Sequence, residues 1–355
     1  MRIAHVLFSG LGGVYNVVNS LIKDNEKNCA GIYVGSNLSK DCLSHKKILK
    51  NNFFFVKTIR FLSFFFFPVI AIHLIKFRPD IIVLHNYQIL GCIITKLFFN
   101  TKIIYVDHTP LNIKNFKDRM IIKIFDTFID KFVVLNNENL IFLNKELGIS
   151  KRKIAKIYNG ISVVYKKKIK RSKKDSLIVG MSGRLNDKKH FDILINAVQS
   201  ILNKNIKIKC LIAGTGESKD KLKKLILKKN KKNIIFCGLL NQIQLMQWFT
   251  KLDLYIQASK GEAMSISILQ AMFMEVPVMG SNVNGIKNLK YPSKKNSMIF
   301  SNQVNDLEKK IIKFIKLKKK LKKNIVKKQL RYVSDNFTEE LMISKYNEIY
   351  NTLFR

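Results

Sequence analysis

Short apolar runs alternate with amphipathic stretches from the first residues of this chain. Arg2-Ile-Ala-His-Val-Leu-Phe8 reads as a strand, Gly10-Leu-Gly-Gly13 as a turn, and Val14 to Lys23 carries apolar positions at helical spacing. Further short β-rich runs fall at Ala30 to Val34, Ile81 to Leu84, Lys102 to Val106 and Lys131 to Leu135, with helical stretches between them. Strand and helix taking turns predicts a parallel sheet covered by helices.

The charged, structure-poor segment from Val163 to Lys174 interrupts this alternation. A second series follows, with strands expected at Ser176 to Met181, Ile206 to Ile212, Asn233 to Phe236, Leu252 to Ile256 and Val276 to Met279. A chain of 355 residues suits two domains of ordinary size. The expectation is an α/β protein with Rossmann-like domains over residues 1–165 and 172–335, facing each other across a cleft that holds the ligand. Asp306 to Arg331 reads as a strongly basic helical stretch with a solvated face. Residues 336–355 read as a terminal amphipathic helix that packs back toward the first domain, opened by an Asn336/Glu339 capping box.

One apolar run, Phe61 to Ile75, is shorter than the roughly 20 residues that a membrane span needs, and Pro68 and His73 interrupt it. It is either a buried helix leading into Ile81 to Leu84 or a helix lying in a membrane interface, flanked by Lys57, Arg60, Lys76 and Arg78. The formal net charge of +40 arises from 64 Lys+Arg against 24 Asp+Glu. An A/T-rich coding bias accounts for abundant Lys, Asn, Ile and Phe but not for scarce acids, so anionic partners are favoured: phosphates or a lipid surface. Nucleic acid is not expected, because the basic residues are dispersed and form no recognised binding module. The five cysteines are scattered without a C-x-x-C pair, and the amino terminus shows no signal peptide. Both observations point to the cytoplasm, with peripheral attachment to the inner face of the membrane as the accompanying reading.

Chemistry concentrates in Ser259-Lys-Gly-Glu-Ala-Met-Ser-Ile-Ser-Ile-Leu-Gln-Ala-Met272, which follows the strand Leu252 to Gln257. Strand, loop and helix N-terminus present free backbone amides and a positive dipole end to an anion. A carboxylate beside a phosphate is electrostatically awkward, so Glu262 better suits sugar hydroxyls; taken alone, it reads equally well as a solvated loop residue. Gly180-Met-Ser-Gly-Arg-Leu-Asn-Asp-Lys-Lys-His190 places Arg184 and Lys189 at the carboxyl end of another strand, where two cations neutralise a diphosphate. Ala213-Gly-Thr-Gly-Glu217 places Gly214 and Gly216 at a strand–helix junction that allows close approach to a base or phosphate. His108 follows the strand ending at Val106 and is expected to face the cleft, although a lone histidine there is more commonly structural.

In this order, these pieces resemble the glycosyltransferases of the GT-B fold, family 4 (glycosyl transferases group 1). The resemblance runs over nearly the whole chain: Gly12-Gly13, Arg78-Pro-Asp-Ile-Ile-Val-Leu-His85, His108, Tyr158-Asn-Gly-Ile161, Gly183-Arg-Leu185 with Lys189, Ala213-Gly-Thr-Gly216, Ile235-Phe-Cys-Gly238, the Glu262 loop with Ala271-Met272, and Val276-Pro-Val-Met279. It implies retaining transfer, of the hexosyltransferase type, from a nucleotide diphosphate-sugar without a metal or other cofactor. It implies further that Arg184 and Lys189, amides near Ser265 and Ile266, and the loop ending at Gly13 bind the diphosphate. Glu262 and His108 would act at the donor sugar and the reacting centre, and Gly214, Gly216 and residue 270 at the nucleotide. The acceptor would be a glycan or lipid-linked molecule in cell-surface polysaccharide synthesis. Gln270 stands where the family carries a second Glu, Ser162 where an Asp is common, Asn284-Gly285 in place of a double glycine, and Lys287-Asn288 where a Pro and an acid often occur. Those departures keep open a catalytically weak scaffold that binds a membrane or partner.

Overall fold

The computed structural model describes every residue except 9–12, 39, 59–62, 86–87, 111–113, 115, 162–174, 288 and 290–297. Gly12, Ser162 and the basic segment to Lys174 therefore lie outside the described residues. The chain forms two compact units: Met1–Ser162 with Glu339–Arg355, and Val163–Thr338.

The strands of the first unit are β1 (Ile3–Phe8), β2 (Cys29–Gly35), β3 (Phe53–Lys57), β4 (Ile81–Leu84), β5 (Lys102–Asp107), β6 (Lys131–Val134) and β7 (Ile154–Lys156). They pair in parallel in the order β3-β2-β1-β4-β5-β6-β7. The helices between them are α1 (Gly13–Asp24), α2 (Lys40–Leu49), α3 (Phe67–Phe77), α4 (Ile89–Phe98), α5 (Phe116–Ile124) and α6 (Asn137–Ile141). Ile, Val and Ala fill the central strands because both faces of the sheet are covered; β4 is buried at all four positions. Chain order reverses between β1 and β4, so the loops leaving these strands and β5 stand where such sheets bind ligands.

The second unit repeats this plan with β8 (Leu177–Ser182), β9 (Ile208–Ala213), β10 (Ile234–Gly238), β11 (Leu254–Gln257), β12 (Val278–Ser281) and β13 (Ile299–Phe300), ordered β10-β9-β8-β11-β12-β13. All of these pairings are parallel. Its helices are α7 (Phe191–Asn203), α8 (Lys219–Lys224), α9 (Gln242–Thr250), α10 (Ile266–Phe273), α11 (Asn284–Lys287), α12 (Val304–Lys316) and α13 (Lys319–Asn336). The core joins Val179, Met181, Leu194, Val198, Ile212 and Ile256 to Leu307, Ile311 and Phe314 of α12. The reversal here lies between β8 and β11, which places the Arg184–Lys189 and Glu262 loops side by side.

Two local expectations need correction. The basic stretch from Asp306 is two helices, because Leu317 and Lys318 turn the chain with extended backbone and Leu317 packs against the core. Asn336 ends α13, its amide donating to the Tyr332 carbonyl at 2.9 Å, and it does not cap the last helix. That helix, α14 (Glu339–Phe354), packs in the first unit, where Asn347 Nδ2 donates to Asp24 Oδ2 at 3.0 Å and Gly160 N donates to Met342 Sδ at 3.1 Å.

The Phe61 to Ile75 run contributes a 3₁₀ turn, Ser63–Phe66, and α3, with Pro68 in the first turn where its missing N–H costs nothing. Ile70, Leu74 and Phe77 face the core, while Val69 and Ile72 face outward. Among the described residues no helix is long and apolar enough to cross a membrane.

Candidate active site

The site in the second unit is built by three loops that leave the adjacent strands β9, β8 and β11. Glycines set their spacing. Gly214 has φ +136°, and a Cβ there would lie 1.9 Å from the Gly183 carbonyl oxygen. A Cβ on Gly216 would meet the Leu185 carbonyl at 2.4 Å. The loops are also stitched together: Gly183 N donates to Ala213 O at 3.0 Å, Leu185 N to Thr215 O at 2.9 Å and Ser218 N to Leu185 O at 2.9 Å. The glycines that the sequence offers to a nucleotide thus bring the Gly214 loop against the Arg184 loop. Close backbone packing is their first physical requirement.

After Leu185 the chain makes a 3₁₀ turn, Asp187–Lys189, and enters α7 through His190 in the left-handed region. The Lys188 carbonyl accepts from Lys260 N at 2.9 Å, which ties this turn to the loop after β11. Lys189 and Glu262 meet directly, Nζ donating to Oε1, with side-chain exposures of 26% and 12%. Glu262 is therefore not a solvated loop residue.

A buried polar chain fixes this carboxylate. Ser259 Oγ donates to Glu262 Oε1 at 2.9 Å, Gln257 Nε2 donates to Ser259 Oγ at 2.8 Å, and Tyr255 Oη donates to Gln257 Oε1 at 2.6 Å. Because the phenol donates to the amide oxygen, the amide nitrogen must face Ser259. Burial pushes the Tyr255 phenol up to about 12, so it keeps its proton. Gln257 Nε2 also reaches Glu262 Oε1, at 3.5 Å. Every hydrogen bond to this carboxylate among the described residues goes to Oε1, which leaves Oε2 as the oxygen available to a ligand. On the far side, α11 presses on the loop: a Cβ on Gly285 would lie 1.9 Å from the Glu262 carbonyl oxygen.

Three residues beyond Glu262, the buried Ser265 has extended backbone and begins α10 without a side-chain cap. The first-turn amides from Ile266 onward have no acceptor within the helix and carry its positive dipole end. Gln270 lies one turn further along the same helix and is buried. Arg184 is set apart from Lys189: its guanidinium Nε pairs with Glu217 Oε2 at 3.2 Å, and its side chain is 64% exposed. The Glu217 carboxyl sits below the usual range, first through its own backbone amide and then through Arg184.

In the first unit, Gly13 opens α1 and is exposed. His108 sits at the end of β5 and is joined to two histidines that have no assigned role in the sequence reading. His85 Nδ1 and His108 Nε2 are 3.0 Å apart, and His5 Nδ1 and His85 Nε2 are 3.2 Å apart. The neighbouring Asp107 and Lys114 form an ion pair with both side chains fully buried, and Asn139 Nδ2 donates to Asp107 Oδ2 at 2.7 Å. This clamp holds the backbone on which His108 stands.

Two of these groups left a trace in the sequence. Gln257 is a polar residue closing an apolar strand, and His85 closes the apolar run from Ile81. That His5 and His108 flank His85 depends on strand order, which periodicity does not reveal.

The chain is similar to known proteins. Residues 165–331 match the family model described as Glycosyl transferases group 1, and residues 36–164 match Glycosyltransferase Family 4. The chain is 25% identical over 309 residues to an uncharacterized 41.2 kDa protein in the cps region of Klebsiella pneumoniae, covering 80% of this chain and 81% of that one. It is 27% identical over 239 residues to the O-antigen biosynthesis glycosyltransferase WclY of Escherichia coli, covering 64% and 63%. Among solved structures, Anabaena Alr3699/HepE in complex with UDP and glucose superposes with a TM-score of 0.82 at 15% identity, covering 99% of each chain. Two doubly wound parallel sheets, a cation–carboxylate pair at the reversal point of the second, and these matches lead to one assignment: the chain is a glycosyltransferase of the GT-B fold and belongs to the glycosyl transferases group 1 family.

Proposed function

We propose that this chain is a retaining enzyme that moves a sugar from a nucleotide diphosphate-sugar to a glycan or lipid-linked acceptor in cell-surface polysaccharide synthesis. The observation that carries the reading is the Lys189–Glu262 pair beside the first turn of α10. Breaking the anomeric C–O bond places negative charge on the departing diphosphate. Lys189, the amides following Ser265 and at Ile266, and the planar fork of Arg184 would receive that charge, aided in the first unit by Gly13 at the start of α1. Fixed donors aimed at developing charge lower the barrier without reorganising during the reaction.

Glu262 would offer Oε2 to hydroxyls of the donor sugar while Ser259 and Gln257 hold Oε1. Gly214, Gly216 and Gln270 would line the nucleotide; Gln270 accepts a ribose hydroxyl bond without the charge assistance a Glu supplies. His108 would act at the sugar and the reacting centre. The UDP and glucose of the HepE complex support a UDP-sugar as donor, and the O-antigen role of WclY supports a surface polysaccharide as product.

A lipid-linked acceptor agrees with the outer face of the first unit. Ile72 of α3 and Leu97 and Phe98 of α4 are exposed, and these helices pack closely where Gly91 meets the Phe67 carbonyl and Ile70. Such a surface beside the exposed Lys76 suits contact with an anionic membrane.

The test is a panel of nucleotide sugars scored for hydrolysis and transfer. One donor should turn over, with Glu262→Ala lowering kcat/KM by about 100-fold or more, the scale seen when a charge-stabilising group is removed. No turnover of any donor, or full activity in Glu262→Ala, overturns the enzyme reading.

A further inference from the structure

We propose that His5, His85 and His108 form a single hydrogen-bonded imidazole chain in which His85 and His5 are positioning residues that set the tautomer and ring orientation of His108. This inference rests on the reading of His108 as a residue of the reaction. The three residues belong to β1, the end of β4 and the end of β5, strands adjacent in the order β1-β4-β5. The rings lie nearly in one plane: the planes of His5 and His85 differ by 20° and those of His85 and His108 by 26°, with centroids 5.4 and 5.3 Å apart. Both links join an Nδ1 to an Nε2. The nitrogens therefore pair with one another in sequence instead of converging on a point, and among the described residues no such trio is arranged to hold a metal.

Head-to-tail pairing restricts the protons. A neutral imidazole has one N–H donor and one acceptor nitrogen. If His108 donates from Nε2, then His85 accepts at Nδ1, must carry its own proton on Nε2, and donates to His5 Nδ1. If His5 donates from Nδ1, the same logic puts every proton on Nδ1. The three rings share one tautomer, and only two arrangements exist. In both, His108 Nε2 is occupied and Nδ1 is its remaining nitrogen, a donor in one arrangement and an acceptor in the other. Moving one proton across each link converts one arrangement into the other, gaining a proton at one end of the chain and releasing one at the other.

Burial supports neutrality. It pulls His5 down to about 3 and His108 to about 4, and holds His85 well below the usual imidazole range, with its two histidine neighbours adding to the effect. His45 lies close enough to depress His5 further, and it is itself lowered to about 4 by burial. Asp107, the carboxylate adjacent to His108 in sequence, is engaged by Lys114 and Asn139. Among the described residues the ring of His85 is thus the sole group hydrogen-bonded to the His108 ring, and its removal frees that ring to rotate and to exchange tautomers.

The experiment is ¹⁵N NMR of the imidazoles in the full chain, wild type against His85→Leu and His85→Gln, with folding checked by urea denaturation. Wild type should show all three rings neutral at pH 7 in the same tautomer. His85→Leu should leave His108 averaged between tautomers and titrating nearer 6.5. His85→Gln, which keeps one donor and one acceptor, should restore a single tautomer and serves if the leucine variant fails to fold. Different tautomers on the three rings, or an unchanged His108 signal in a folded His85→Leu protein, overturn the proposal. Kinetics on the donor selected by the panel separate it from the underlying reading. His85→Leu should lower kcat by about 10–100-fold with KM little changed, the scale expected when the partner that orients a functional histidine is lost. If His108→Ala also abolishes turnover, both stand. If His108→Ala is inactive and a folded His85→Leu is unaffected, the chain fails alone. If His108→Ala is fully active, the reading of His108 fails.

Discussion

At the residue scale, the polar groups of this protein are organised by what burial forces on them. Glu262 is held in its loop by Lys189, Ser259 and Gln257, which all face Oε1. A buried carboxylate without such partners is strongly disfavoured. The buried histidines His5, His45, His85 and His108 follow another course: burial disfavours their charged form and keeps them neutral. His5 is held at about 3, and His45 and His108 at about 4, chiefly by burial. These values lie below that of an unfolded imidazole at about 6.5, so the unfolded chain binds more protons between the two limits. The stability they confer is complete above about pH 6.5 and is lost as pH falls toward their folded values. The unfolding free energy is expected to drop between pH 7 and 5, approaching about 1.4 kcal/mol per pH unit for each histidine. Urea midpoints measured across that range check this, and a flat profile would contradict the burial of these rings. Glu262, Arg184 and Lys189 stood out in the sequence because strand ends and glycines mark the places where such sheets bind ligands. Ser259 and Gln257 did not, because their bonds to Glu262 depend on how the loop folds back, and the His5–His85 link did not, because strand order brings together residues distant in the chain.

At the element scale, loops after β8, β9 and β11 are locked together by glycines that have backbone where a side chain would be. Gly285 is the sharpest case, since a methyl group there would overlap the Glu262 carbonyl at 1.9 Å and crowd Ala263 O at 2.6 Å. Gly285→Ala should move the Glu262 loop, costing about 1–3 kcal/mol of stability as an overpacking change and weakening donor binding. Isothermal titration with the selected donor checks it; wild-type affinity in a folded variant would show that the loop position is unimportant. The alternation of strands and helices was readable because central strands are almost wholly apolar. Three of the four edge strands were not. Phe53–Lys57 sits in a phenylalanine-rich region without alternation, and β7 and β13 are only three and two residues long. The turn at Leu317 and Lys318 carries neither Gly nor Pro, and packing of Leu317 against the core decides it.

At the scale of the whole molecule, a net charge of +40 sets how the protein meets anions. Lysine-rich faces of α12 and α13 are solvated around buried Leu307, Ile311 and Val333, so much of this charge is a surface property of ordinary amphipathic helices. Vesicles containing anionic lipid should co-sediment with the protein at low salt and release most of it at about 1 M salt, where screening shortens to about 3 Å. Absence of binding at low salt would remove the membrane from the proposal while leaving the donor site untouched. The GT-B architecture was legible because two successive α/β series are visible in the apolar pattern, whereas acceptor choice depends on loops that the fold does not dictate. The donor site is the centre of the account, and the most direct test is calorimetric binding of UDP and UDP-glucose, or the corresponding pair for the donor that the panel selects, to wild type, Lys189→Ala and Glu262→Ala. Lys189→Ala should weaken both ligands by about tenfold or more, as loss of a charged hydrogen bond implies, and Glu262→Ala should weaken the nucleotide sugar while leaving the free nucleotide nearly unchanged. Wild-type affinity for both ligands in both variants would contradict it.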